Sequence, residues 1–96
     1  MVTNLLPYRW KQPDEVRTLT FDFARKLVSG ATLTGTPTVV AQTGLTVGAG
    51  TIAGSTVSAQ VSGGTLGSEY KVTCRCGVSN GDVLELDVMI RVAEEN

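Results

Sequence analysis

From Tyr70 to Val92 apolar side chains take every second position in two successive runs: Tyr70, Val72, Cys74, Cys76, Val78, then Leu84, Leu86, Val88, Ile90, Val92. That period of two brings successive side chains of a strand back to one face, whereas a helix scatters such a row around its circumference. The runs predict paired antiparallel strands joined near Asn80-Gly81. A two-residue turn there pairs Cys74 with Asp87 and Cys76 with Glu85, mixing apolar and charged residues on one face. A three-residue loop, Ser79-Asn80-Gly81, pairs Cys76 with Leu84, Cys74 with Leu86 and Val72 with Val88, so every inward residue meets another. The register selects this loop, with Gly81 as a left-handed bulge glycine. The two facing rows are expected to be the best-buried part of the chain.

The rest of the chain reads as shorter strands. Leu19, Phe21 and Phe23 alternate with Thr20 and Asp22, which predicts a first strand over about 16–23. Residues 24–29 have room for one helical turn, too short to stand alone, and are a connection. Strands are expected over about 37–42, 45–53 and 56–62, with turns at Gly44, Gly54 and Gly63-Gly64. Regularly placed Leu45, Val47, Ile52, Val57 and Val61 separate this Gly-rich region from a flexible linker. A content of 13 Val, 13 Thr and 11 Gly in 96 residues agrees with an all-β chain of one small domain.

Reactive chemistry is sparse. Two cysteines and no histidine rule out a four-ligand Cys/His zinc site and a Cys/His nucleophile within one chain. Cys74 and Cys76 share a strand face with Cα atoms about 6.5–7 Å apart, a span a disulfide strains to bridge. Free buried thiols are the expectation. Asp82, Glu85 and Asp87 cluster, but Glu85 and Asp87 fall on the outward face opposite Lys71 and Arg75, a cross-strand charge arrangement. The Gly-rich SGGTLG and GAGTIAG segments lack the Lys-Ser/Thr of a phosphate loop. No catalytic, cofactor-binding or metal-ligating residue is predicted, and the chain is not expected to be an enzyme. A formal charge of −1 argues against nucleic acid as a partner. No apolar run is long enough to cross a membrane, and the first residues place charge after apolar residues, the reverse of a secretory signal.

Two features remain. Residues 27–68 contain no Asp, Glu, Lys or Arg over 42 consecutive positions, where about a quarter is usual. Such strands are poorly defended against edge pairing, so this stretch is either a neutral wet surface or a contact with other subunits. Leu5, Leu6, Tyr8 and Trp10 precede the first expected strand without its periodicity. They form either a lid on the domain's own core or an arm, residues 1–12, that anchors on a neighbour, the sandwich itself spanning 13–96. The arm reading makes these four the candidate partner-binding residues. Five of the eight basic residues lie in the first 26 positions and six of the nine acidic ones from residue 69 onward, so the two ends differ in sign. Five aromatic residues, three of them on inward strand faces, leave few for a carbohydrate-binding platform.

Lys11-Gln12-Pro13-Asp14-Glu15-Val16 resembles the K-D-P-D-E-V opening of a group of small proteins encoded among virion genes of tailed bacteriophages and prophages. Leu45-Thr46-Val47, the run from Val61-Ser62-Gly63-Gly64-Thr65 through Gly67 to Tyr70, Val72 and Thr73, and the closing Ile90-Arg91-Val92 are similar to its later signature. The likeness spans about Trp10 to Ala93. Gln12 stands where that group has Asp, Cys74 where it has Asn, and the first strand lacks its Trp. The resemblance implies an immunoglobulin-like antiparallel β-sandwich of about seven short strands, which fits the strand spacing. It also implies a structural protein of the phage virion, a fibre-tail or head-tail adaptor without cofactors. Its partners would be tail, connector or fibre subunits, in multiple copies per particle assembled in the bacterial cytoplasm. A capsid decoration protein is the nearest alternative.

Overall fold

The computed structural model describes residues 8–93. Eight strands build two sheets: β1 Tyr8–Lys11, β2 Arg17–Asp22, β3 Leu33–Ala41, β4 Leu45–Val47, β5 Thr51–Ala53, β6 Thr56–Gly63, β7 Glu69–Val78 and β8 Val83–Val92. No helix occurs among the described residues. The first sheet has the order β1-β8-β7-β3 and the second β2-β6-β4, with β5 also paired to β6.

The β7–β8 hairpin has the register expected from its alternation, with Val72 opposite Val88, Cys74 opposite Leu86 and Cys76 opposite Leu84. Its loop is Ser79-Asn80-Gly81. The Val78 N–H donates to the Asp82 carbonyl at 2.8 Å and the Gly81 N–H to the Val78 carbonyl at 2.9 Å. Gly81 takes φ of +98°, open to glycine without steric cost, and the Asp82 N–H donates to Asn80 Oδ1. Tyr70, Val72, Cys74, Cys76 and Val78 are all buried, as are Val88, Ile90 and Val92. Leu84 and Leu86 are only half-buried, contrary to the expectation that they belong to the best-buried rows. The reason is lateral: β1 flanks β8 only from Met89 to Val92, so among the described residues no strand pairs with the first half of β8 on its side away from β7.

The second sheet faces this hairpin. Leu19 and Phe21 of β2, Phe23 just beyond it, and Val57, Ala59 and Val61 of β6 are buried against the inward row of β7 and β8. Each of these Leu, Phe and Val side chains contributes about 1.5–3 kcal/mol of hydrophobic stabilisation. After β2 a single turn closes on the Phe23 carbonyl, the connection expected for residues 24–29. The strand expected over 45–53 is two strands. Both pair with the same side of β6, and the break centres on Gly50, where an added Cβ would lie 2.9 Å from Val57 Cγ1 and 3.0 Å from Pro37 Cγ. The chain passes too close to the core there for any side chain.

The sheet orders β2-β6-β4 and β8-β7-β3 are those of the B-E-D and G-F-C strands of an immunoglobulin sandwich. The Tyr70 hydroxyl, at the start of β7, accepts the Thr65 N–H at 2.8 Å, which is the tyrosine corner of that fold. The fold is therefore an immunoglobulin-like all-β sandwich, with eight strands instead of about seven. Beyond the six strands of B-E-D and G-F-C, the remaining elements are β1 and the separate β5.

Candidate docking surface

β1 lies parallel to the end of β8, with Trp10 in register with Arg91 and Lys11 with Val92. Strand alternation turns these neighbours to opposite faces. Lys11 is 2% exposed, and its ammonium donates to the Gln12 carbonyl at 2.7 Å and the Pro13 carbonyl at 3.1 Å. The turn it holds is closed by the Glu15 N–H on the Gln12 carbonyl and by the Gln12 N–H on Glu15 Oε1. Pro13 occupies the second position of the turn, where its fixed φ fits. Glu15 also meets Arg17 at 3.5 Å. The Lys11-to-Val16 motif is thus a built turn entered through the backbone of Gln12, and this backbone role explains how Gln can stand in the place of Asp.

No strand was expected before about residue 16, yet Tyr8–Lys11 is hydrogen-bonded into the first sheet. Parallel pairing leaves no local turn signal, and four residues with Arg9 among them show no apolar alternation. The usable clue was the Pro13-Asp14 turn, which needs an element on each side.

Trp10 is 52% exposed on the outer face of the first sheet. The Arg91 guanidinium carbon lies 5.7 Å from its ring centroid, within cation–π range. Arg91 Nη1 also reaches Glu69 Oε2 at 3.0 Å. Trp10, Arg91 and Glu69 form one row across β1, β8 and β7. Two rows further along, Thr73 donates to Asp87 Oδ1 at 2.6 Å, and Arg75 meets Glu85 at 3.0 Å in the next. Asp87 is therefore bonded to Thr73, while Lys71 stands in register with Met89. Of the other candidate residues, Leu5 and Leu6 lie outside the described residues, as does the side chain of Tyr8.

Among the described residues Lys11 is buried, Arg17 meets Glu15, and Glu69 and Glu85 meet arginines of their own sheet. The charge-free stretch 27–68 supplies β3 to β6. On the outer face of the second sheet it leaves an open depression of about 310 Å³ lined by Thr18, Gly48, Thr51, Ser58 and Gln60.

Cys74 and Cys76 are free and buried. Burial, and secondarily the adjacent Cys76, push the Cys74 thiol up to about 11, and burial likewise raises Cys76. Both stay protonated near neutrality, which suits packing and not nucleophilic chemistry. Among the described residues no group of three or more His, Cys, Asp or Glu is placed to hold a metal ion.

The chain is an immunoglobulin-like sandwich with a tryptophan exposed on the outer face of its first sheet. Residues 11–91 match the family model described as podophage GP4 fiber-tail adaptor protein gp77, and the chain belongs to that family. Comparison with curated proteins finds no match.

Proposed function

We propose that this protein is a structural adaptor of a tailed-phage virion, joining tail, connector or fibre subunits by protein–protein contact and performing no chemistry. Family membership supports the adaptor role and a place in the virion. The observation that carries the docking site is Trp10, exposed on β1, the strand reached directly from the N-terminal segment. Phe21, Phe23 and Tyr70 are all buried, so among the described side chains Trp10 is the aromatic group open to a partner. The same observation disfavours a carbohydrate-binding platform, which needs several such rings. The family match begins at Lys11, leaving Trp10 together with Leu5, Leu6 and Tyr8 outside the matched residues, where a partner choice particular to this chain would be written. In this reading the apolar anchors supply most of the affinity, and Arg91 and Glu69 beside Trp10 orient the partner.

The test is deletion of residues 1–9 combined with Trp10→Ala. The expected product keeps the far-UV circular dichroism of the sandwich and is missing from purified virions by mass analysis. A variant that folds and still incorporates overturns the docking assignment, and its recovery on emptied heads instead of tails would indicate capsid decoration.

A further inference from the structure

Each lateral edge of the sandwich presents backbone N–H and C=O groups that either deter or admit a further strand. β3 contains Pro37, and its pairing with β7 shifts register between Thr34 and Thr38 around Gly35 at φ +76°, so that edge is bent and lacks a donor. β4 and β5 are three residues each. β1 has only four residues, and the part of β8 beyond β1 contains Glu85 and Asp87, so a second copy laid antiparallel on that part sets like charge against like.

β2 differs from all of them. It has six residues, stays in register with β6 from Arg17 to Asp22, and contains no proline, glycine or bulge. Among the described residues, no strand pairs with it on the side away from β6. Its core-facing Leu19 and Phe21 are buried within the subunit, while Thr18, Thr20 and Asp22 alternate onto the outer face, where Thr20 already lies near Ser58.

We infer that β2 is a self-association edge, pairing antiparallel with β2 of a second copy about a two-fold axis at Thr20 and merging two β2-β6-β4 sheets into one. Two-fold pairing that keeps each sheet face continuous sets Thr20 or Leu19 opposite itself. The Leu19 register puts Val16 opposite Asp22 of the other copy, whereas the Thr20 register puts Thr18 there. Threonine opposite aspartate is a pair this chain already uses, since Thr73 donates to Asp87 at 2.6 Å. In that register the two Asp22 residues lie about 13 Å apart along the ribbon, beyond effective repulsion at physiological salt. The rest of the joined outer face is Thr, Ser and Gln, so no like-charge contact opposes the pairing. The contact is smaller than a standard interface, which makes it a weak bond suited to neighbours held together in a larger assembly. It is independent of where Trp10 docks.

Sedimentation of the full chain over a wide concentration range tests this. The wild type should show a reversible monomer–dimer equilibrium. Thr20→Lys, which sets two ammonium groups on the axis, should weaken it at least tenfold without changing the circular dichroism. Thr18→Lys, which faces Asp22 of the other copy, should dimerise at least as tightly as wild type. A chain monomeric at every concentration, or two variants that behave alike, overturns the inference. So does a chain that associates only after residues 1–7 are removed, because the edge is then covered by its own N-terminal segment.

Discussion

The indole of Trp10 on β1 and the guanidinium of Arg91 on β8 lie against each other, 5.7 Å from ring centroid to Cζ, with Arg91 held in turn by Glu69. Exposed cation–π contacts and exposed ion pairs are each worth about 1 kcal/mol or less. Arg91→Ala should therefore cost about 1 kcal/mol in a urea titration and red-shift the fluorescence of Trp10, the chain's single tryptophan. A loss above about 3 kcal/mol would show that the row serves the fold more than a partner.

Tyr70→Phe removes the hydroxyl that accepts the Thr65 N–H at 2.8 Å. The ring and its burial remain, so the cost is that of one hydrogen bond with its donor left unpaired, about 1–3 kcal/mol. Thermal denaturation checks this, and an unchanged midpoint would mean that water replaces the hydroxyl.

Lys11→Met keeps the buried stem and removes the donors to the Gln12 and Pro13 carbonyls. The expected loss is about 1–3 kcal/mol, with faster amide exchange confined to residues 12–16. Uniformly faster exchange over the sandwich would show that Lys11 supports more than its turn.

Truncations along β8 should follow burial. Ile90→Ala, at a fully buried site, should cost about 2–5 kcal/mol, and the half-buried Leu86→Ala clearly less. Equal losses at the two positions would indicate that the first half of β8 is covered in solution.

Burial raises the Cys74 thiol to about 11 from a usual value near 9. The unfolded chain then releases its proton before the folded one, so this contribution to stability is complete below about pH 8 and declines as pH rises from 9 through 11. Cys74→Val should leave stability at neutral pH within about 1.5 kcal/mol of wild type and flatten the alkaline decline. An identical alkaline decline in the variant would assign it to other groups.

The alternation from Tyr70 to Val92 by itself determined a hairpin, its register and its loop, because a one-residue slip would have turned charged Glu85 and Asp87 inward. The glycine turns and the buried thiols were legible for the same reason: each is a local demand of backbone conformation or of strand parity. Tertiary structure alone decided the rest. β1 is a strand only because β8 lies beside it, and Lys11 is buried because the same pairing points it inward above the turn it holds. The need for glycine at position 50, in the break between β4 and β5, follows from the nearness of Val57 and Pro37 in the folded sandwich. Arg91 of β8 meets Glu69 of β7 and the ring of Trp10 on β1, and Leu84 and Leu86 are only half-buried where β1 does not flank β8. Period and parity are written along a strand, whereas the neighbour on its other edge is set by long-range pairing that no local pattern encodes.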